Sequence, residues 1–239
     1  MSRRFFDPQP FSVGVQADLG ELASHHIGRV LRMRVDDEID LFNGDGGEYH
    51  ARLVAITKKA VTVLPLSFAA DDRIAARAVT LALPLIKGER MDYAIQKATE
   101  MGVHAIQLLQ CERSDVRLNQ EREEKKREHF RQVAISACEQ CGMNRVPAIY
   151  PLMTLADYLQ QATQPVKLIA HPGEKKADYA ALLAGGEISL VTGPEGGFSA
   201  EELALAAQAG YHAFALGERV LRAETAPVAL LAALWAYAG

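Results

Sequence analysis

The chain has 239 residues, of which 49% are hydrophobic and 23% are charged, with a formal net charge of −4 and an isoelectric point near 6.0. This composition suits a folded chain with a sizeable core, and it excludes bulk attraction to nucleic acid, so any such contact needs a local basic face. The sequence has neither the apolar core of a secretory signal nor the roughly 18 consecutive apolar residues of a membrane span, and we expect a cytoplasmic protein.

Residues 1–72 are predicted to form a small β-domain, either a barrel or a sandwich. Runs of alternating apolar residues at Glu38–Phe42 and Glu48–Ile56 flank the sequence NGDGG, which is a strong signal for a β-hairpin. Ala60–Leu66 supplies a further strand, and one short helix is predicted at Ser24–Leu31.

Basic side chains gather on and beside this short helix. Charge clusters are usually solvated faces of a protein, but a cluster of one sign also suits contact with nucleic acid, and both interpretations stay open. The residues that we predict to contact RNA in this part of the chain are Arg3, Arg4, His26, Arg29, Arg32 and Arg34.

From residue 73 to the C-terminus, apolar strands alternate with helices, which predicts an α/β domain with a parallel sheet covered on both faces. The predicted strands are Val79–Pro84, Val103–Leu109, Val146–Ile149, Val166–Ala170, Ile188–Val191 and His212–Leu216. The predicted helices are Arg90–Met101, a long helix that ends at Cys141, Leu155–Gln161, Ala177–Leu183, Glu201–Ala209 and Thr225–Ala238.

The three cysteines, Cys111, Cys138 and Cys141, do not indicate a disulfide framework, because their number is odd and no export signal is present. Cys138 and Cys141 have C-x-x-C spacing, but they lie inside a helical pattern and no second pair completes a zinc site. We therefore predict that they pack in the core, with redox chemistry as the weaker alternative, and no metal site is indicated.

Two glycine-bearing loops follow predicted strands and lead directly into predicted helices. The first, VTGPEGGF at 191–198, precedes the Ser-x-x-Glu pattern of a helix capping box, and the second is LGERVLRAETAP at 216–227. Glycine lets backbone N–H groups approach a ligand closely, and ligands bind at the carboxyl ends of parallel strands. Neither loop has the phosphate-binding pattern of ATP or NAD sites, so the predicted ligand is of another kind.

At these loops and elsewhere the chain resembles the RsmE family of SPOUT-class methyltransferases, which methylate N3 of a uridine in 16S rRNA. The resemblance rests on segments that follow one another in the family's order. They are HHIGRVLRM, FNGDGG, KGERMDYAIQKATEMGV, ACEQCGMNRVP, GPEGGFSAEE and LGERVLRAETAP. Met143 departs from the family, which often has arginine after EQCG, although Arg145 is close by in the sequence.

The resemblance implies a PUA-like RNA-binding barrel at 1–72 and a methyltransferase domain at 73–239 with a C-terminal trefoil knot. It implies S-adenosylmethionine as cofactor, a homodimer, and 16S rRNA, within the small ribosomal subunit, as substrate. Further RNA contacts are expected at Lys87, Arg90 and Arg145. The expected cofactor-binding residues are His171, Pro172, Thr192, Gly193, Glu195, Gly196, Gly197, Leu216, Gly217, Val220, Leu221, Arg222 and Thr225. Replacing Gly196 by valine is expected to abolish cofactor binding while leaving the fold intact.

Arg222 and Glu224 are the predicted catalytic residues. Uridine N3 must lose its proton before it can attack the methyl group, and a fixed guanidinium near the uracil oxygens would stabilise the resulting anion. Glu224 is expected either to orient Arg222 or to accept the proton; alternatively, the two side chains brace the loop as an ion pair.

Two other functions stay open at the level of sequence. One is methylation of a ribose 2′-oxygen or of another base by the same fold, and the other is a non-catalytic RNA-binding assembly factor, against which the intact loop motifs argue. The apolar final helix favours a dimer interface, with burial inside one subunit as the competing interpretation.

Overall fold

The structure is a computed structural model that describes residues 3–71, 73, 77–171 and 186–238. The chain forms two compact units, the first comprising Met1–Ile74 with Cys138–Val146 and the second Ala75–Ala137 with Pro147–Gly239. The division predicted from the sequence instead assigns 138–146 to the second domain. The predicted helix Ala177–Leu183 lies outside the described residues. No helix within the described ranges is long and apolar enough to cross a membrane.

The first unit is a small β-domain built on a mainly antiparallel sheet. The described strands are β1 (Arg4–Phe6), β2 (Ala17–Asp18), β3 (Glu38–Phe42), β4 (Glu48–Ile56) and β5 (Val61–Ala69), in the order β1-β3-β4-β5-β2. Only the β1–β3 pair is parallel among them. The sequence did not predict β1 and β2, because strands this short lack a readable alternation.

The predicted hairpin and helix of this unit are both present. Glycines with positive φ form the turn between β3 and β4, and at Gly47 an added Cβ would meet the Phe68 ring at 2.6 Å. Helix α1 (Glu21–His25) continues into a π-helical turn, His26–Val30, so the helical segment begins three residues before the predicted start at Ser24. Ile27 is fully buried and packs into the core of the sheet.

The second unit confirms the predicted parallel sheet. In the described part of the chain its strand order is β11-β9-β10-β6-β7-β8, and every pair is parallel. The strands are β6 (Val79–Pro84), β7 (Ala105–Gln110), β8 (Ala148–Thr154), β9 (Val166–Ala170), β10 (Ile188–Val191) and β11 (His212–Phe214). The helices are α2 (Glu89–Glu100), α3 (Gln120–Cys141), whose residues from Cys138 onward belong to the first unit, α4 (Leu155–Gln161), α5 (Ala200–Gln208) and α6 (Thr225–Ala238).

One strand lies later in the chain than predicted. The apolar run at Val146–Ile149 suggested a strand that ends before Pro151, but β8 continues through this proline to Thr154. β8 is the edge strand of the sheet, and its pairing with β7 shifts register between Gln107 and Leu109, opposite Pro151; edge strands and such irregularities are where proline is tolerated. The position of a strand in its sheet is a tertiary property that local sequence does not reveal.

Candidate functional site

A cavity of about 550 Å³ opens in the second unit where β9, β10 and β11 end. This is the edge of a parallel sheet at which ligands bind. Two segments provide most of its wall, and we call them loop A (residues 192–198) and loop B (residues 215–224). The residues that line it are Arg90, Ala170, His171, Gly193, Pro194, Glu195, Gly197, Phe198, Phe214, Ala215, Leu216, Arg219, Val220, Leu221, Arg222, Ala223, Glu224, Ala226 and Leu230.

Loop A is fixed at both ends. It follows β10, whose residues are all buried, and it ends at the capping box predicted for α5: Ser199 Oγ accepts from the Glu202 backbone N–H at 3.2 Å, and Glu202 Oε2 accepts from the Ser199 N–H at 2.9 Å. Within the loop, the Gly197 N–H donates to the Pro194 carbonyl at 2.9 Å. Gly197 has a φ of +67°, a conformation that glycine adopts without strain.

Two residues expected to touch the cofactor through loop A do not line the cavity. Thr192 is completely buried, with its N–H bonded to the Ala82 carbonyl, and its Oγ1 has no partner in the described residues. Gly196 faces away from the cavity: an added Cβ would lie 2.9 Å from the Cβ of Arg113 and 3.1 Å from its carbonyl oxygen. A side chain at 196 would therefore meet Arg113 and force a local shift, and the expectation that valine abolishes cofactor binding while leaving the fold intact stays a prediction.

Loop B brings both predicted catalytic residues to the cavity. The Arg222 carbonyl accepts hydrogen bonds from the backbone N–H groups of Thr225 and Ala226, both at 2.9 Å, which ties the loop to the start of α6. The Glu224 Oε2 atom is shielded from solvent and has no hydrogen-bond partner among the described residues. No ion pair joins Arg222 and Glu224 in the part of the chain that the structure describes, so the alternative in which the two side chains brace the loop has no support there.

Side chains of both charges line the cavity. Arg90, Arg219 and Arg222 contribute guanidinium groups, and Glu195 and Glu224 contribute carboxylates. Glu195 Oε1 lies 3.4 Å from Arg90 Nη2 and accepts from the Lys87 backbone N–H at 3.3 Å. Arg90 was predicted to contact RNA, and the structure brings it to the cavity itself.

The structure brings together most, but not all, of the residues predicted for the cofactor. Those that line the cavity are His171, Gly193, Glu195, Gly197, Leu216, Val220, Leu221 and Arg222. Gly217 and Thr225 lie in or beside loop B without lining the cavity, and Pro172 lies outside the described residues. Phe198, Phe214 and Leu230 also line the cavity without having been predicted; they are apolar residues whose only signal in the sequence was their position beside the predicted loops and near the start of the last helix.

In the first unit, the residues predicted to contact RNA differ in exposure. Arg29, Arg32 and Arg34 are exposed, and Arg32 has a φ of +51° just after the π-helical turn. Arg3 is exposed and lies 3.7 Å from Asp37. His26 packs edge-to-face on Phe5, and Arg145 donates to the Asp45 carbonyl at 3.1 Å.

Arg4 is not available on the surface, and its prediction as an RNA contact is corrected. Its side chain is only 4% exposed and forms an ion pair with Glu48. It also donates to the Met143 carbonyl at 3.0 Å and to the side chain of Asn144, and it stacks over Phe42 at 4.4 Å. This buried cation holds the segment 138–146 within the first unit instead of presenting a charge to solvent.

The two cysteines of the C-x-x-C motif have different environments. Cys138 is buried against Phe42, where burial raises the pKa of its thiol to about 12. Cys141 is exposed, so the prediction of core packing is confirmed for Cys138 and wrong for Cys141. Both thiols are free, as is that of Cys111.

Both units match family models of RNA-modifying enzymes. Residues 74–235 match the RNA methyltransferase domain and residues 23–66 match the RNA methyltransferase PUA domain. Fold and site thus define the class as an RNA methyltransferase with a PUA domain.

The chain is 32% identical to ribosomal RNA small subunit methyltransferase E of Bacillus subtilis over 88% of this chain and 86% of that protein. It is also 32% identical to the methyltransferase E of Rickettsia conorii, over 89% of this chain and 87% of that protein. The chain belongs to the ribosomal RNA small subunit methyltransferase E family.

Solved structures agree with this membership. The methyltransferase E of Neisseria gonorrhoeae, crystallised with S-adenosyl methionine, is 34% identical and superposes with a TM-score of 0.92, covering 99% of this chain and 98% of that one. A methyltransferase of Legionella pneumophila in complex with bound S-adenosylmethionine is 36% identical, with a TM-score of 0.95 and the same coverage.

Proposed function

We propose that this protein transfers the methyl group of S-adenosylmethionine to N3 of a uridine in 16S rRNA. The observation that carries the proposal is the cavity between loops A and B in a chain of this family. Its volume is within the range of sites that enclose a small molecule, roughly 300–1,000 Å³. The shielded, unpartnered Glu224 oxygen also fits a ligand that brings hydrogen-bond donors, as the hydroxyl and ammonium groups of S-adenosylmethionine would.

Backbone from both loops would hold the cofactor, with Gly193 and Gly197 on one side and Leu216 and Leu221 on the other. When bound, S-adenosylmethionine supplies an electrophilic methyl group on a sulfonium. Apolar side chains, including Phe198 and Phe214, line part of this space, and a bound cofactor together with the uridine would exclude water from it. A water-poor site strengthens the interactions of charged side chains with a reacting group.

Arg222 is proposed to stabilise the uridine anion. It lines the cavity on loop B, and in the described chain no carboxylate pairs with it, so its guanidinium is free to face the uracil oxygens. Glu224, on the same loop, is proposed to accept the N3 proton or to orient Arg222. Removing one preorganised donor of this kind lowers turnover by roughly 10²–10³-fold.

The experiment compares the wild type with Arg222→Ala and, as the matched conservative change, Arg222→Lys. Arg222→Ala should still bind RNA and lose little cofactor affinity by calorimetry, but it should methylate roughly 10²–10³-fold more slowly, with partial rescue at high pH as N3 ionises unaided. The turnover of Arg222→Lys should lie between that of the wild type and that of Arg222→Ala, because lysine keeps the positive charge but lacks the planar guanidinium. Normal turnover, or loss of cofactor binding, in Arg222→Ala would contradict the role.

The product itself is tested by mass spectrometry of rRNA. Small subunits from cells that lack the gene should lack one N3-methyluridine, which the purified protein and S-adenosylmethionine should restore. Restoration on assembled subunits, but not on naked rRNA, is the expected result, because we propose a folded rRNA segment in the cytoplasmic small subunit as substrate. A 2′-O-methylated product would refute the assignment of the base.

We also propose that the SPOUT-type trefoil knot and a homodimer complete the site. The leucines of α6 do not argue for the dimer, since Leu230, Leu231 and Leu234 are already buried within the unit. What supports it is loop B, where Val220 is 84% and Leu216 40% exposed beside the cavity. Light scattering should give a dimer for the wild type and a monomer for Val220→Asp, and a monomeric wild type would overturn the proposal.

A further inference from the structure

Loop A has a second side that does not line the cavity. Gly193, Glu195 and Gly197 line the cavity, whereas the Glu195 carboxylate and the Gly196 backbone also contact segments that follow neighbouring strands. These contacts go to the turn after β6 and to the loop after β7, and both deliver an arginine. The loop that the cofactor would contact therefore also determines where two guanidinium groups lie.

Glu195 holds the turn after β6 by two interactions. A single oxygen, Oε1, accepts from the Lys87 N–H at 3.3 Å and lies 3.4 Å from Arg90 Nη2. Gly88, between them, has φ +70° and ψ −151°, a conformation that belongs essentially to glycine and that starts α2. The turn is thus constrained on both sides, and Arg90, with its side chain 42% exposed, is directed to the rim of the cavity.

The Gly196 backbone supports Arg113 in the loop after β7. The missing side chain at 196 leaves room for the Arg113 main chain, and Arg113 Nη1 lies 3.4 Å from the Gly196 carbonyl oxygen. The loop itself is anchored, since Ser114 Oγ accepts from the Cys111 N–H at 3.2 Å and Glu202 Oε1 accepts from the Glu112 N–H at 2.8 Å. Arg113 therefore has a fixed base and an exposed side chain.

The charges of the two arginines are only weakly compensated. In the described chain no carboxylate lies within ion-pair distance of Arg113, and the pair of Arg90 with Glu195 is a single, partly exposed contact. Exposed guanidinium groups that keep free N–H donors suit phosphate, which they bind with two parallel hydrogen bonds. Both arginines follow strands at the edge of the sheet where the cavity opens. An RNA strand that places its target nucleotide in the cavity would pass along this edge.

We propose that Glu195 and Gly196 are positioning residues that present Arg90 and Arg113 to the RNA phosphates flanking the target nucleotide, so that cofactor binding and RNA binding are coupled through loop A. The inference rests on the proposed function. Because coupling between two ligands is reciprocal, an occupied cavity should raise RNA affinity and bound RNA should raise cofactor affinity by the same factor.

The test measures binding of unmethylated small ribosomal subunits with and without S-adenosylhomocysteine, which occupies the cofactor site without turnover. In the wild type the added ligand should strengthen binding about fivefold, the lower end of typical couplings. Arg90→Ala and Arg113→Ala should each weaken binding about tenfold and reduce the salt slope by about one unit. Arg131→Ala is the matched control, since its side chain is 43% exposed, close to the 42% of Arg90, and does not line the cavity.

Glu195→Gln separates positioning from direct contact. Because Glu195 also lines the cavity, the decisive readout is RNA binding: the variant should weaken it and remove the coupling, and it should weaken RNA binding little further in an Arg90→Ala background, as expected for residues acting as a unit. The inference is overturned if the arginine variants behave like Arg131→Ala, or if Glu195→Gln loses cofactor affinity and keeps RNA affinity. If the wild type binds neither ligand, the proposed function fails as well.

Discussion

Replacing Arg4 by methionine removes a buried charge while keeping most of the volume of its side chain. Arg4 lies in β1 of the first unit with its side chain 4% exposed, and its guanidinium contacts Glu48, the Met143 carbonyl and the side chain of Asn144. Methionine can pack against Phe42, but it cannot donate a hydrogen bond. The change therefore leaves acceptors on two separate parts of the chain without their donor.

The expected loss of folding free energy depends on which interactions the former partners of Arg4 retain. Removing one member of a buried ion pair costs roughly 3–5 kcal/mol, because the other charge stays buried without compensation. Glu48 is 17% exposed and retains an ion pair with Arg73, which moves the cost to the lower end of this range. Met143 and Asn144 each lose one hydrogen bond of about 1 kcal/mol. We expect a net loss of about 3–4 kcal/mol, since such contributions are not additive.

Arg73→Met is the matched control, because Arg73 pairs with the same carboxylate but its side chain is 43% exposed. An exposed pair contributes about 0–1 kcal/mol, so this variant should change little. Urea unfolding followed by far-ultraviolet circular dichroism gives the free energies, and Trp235, the only tryptophan, reports on the second unit alone by fluorescence. Equal, small losses for the two variants would refute the buried role of Arg4.

Three further outcomes are expected. Because burial raises the pKa of the Cys111 and Cys138 thiols to about 12, both stay protonated below that pH, and a thiol reagent should label only Cys141 in the folded protein at mildly alkaline pH. Labelling of a second thiol before unfolding would contradict this. The exposed arginines of the first unit that we predict to contact RNA are Arg29, Arg32 and Arg34. Their triple replacement by alanine should reduce the salt slope of RNA binding by about one unit per lost phosphate contact, with cofactor affinity unchanged; an unchanged slope argues against an anchor in this unit. Gly196→Val should lower RNA affinity by calorimetry, because the new side chain meets Arg113, and it should lower cofactor affinity because loop A, which lines the cavity, has to shift; unchanged affinity for both ligands would contradict this.

Local sequence predicted the elements that depend on local physics. Apolar runs long enough to be read placed β6, β9 and β10 at their observed bounds, and the Ser199 capping box predicted the start of α5. The glycine-bearing loops A and B were recognised because turns after strands need residues that tolerate unusual backbone conformations. Where the signal was two or three residues long, as in β1 and β2, no pattern could be read.

The amino-acid sequence by itself determined the alternation of strands and helices, the parallel sheet, and the two loops that meet at its edge, because period, capping and turn chemistry act between near neighbours. Tertiary structure alone decided which predicted side chains serve the site. Arg4 is buried by contacts with residues that lie 44 and 140 positions later in the chain. Gly196 contacts Arg113, which lies 83 residues earlier. The local sequence around a charged residue or a glycine is the same whether that residue contacts solvent, ligand or protein. Its actual environment is decided only when distant segments of the chain fold against it.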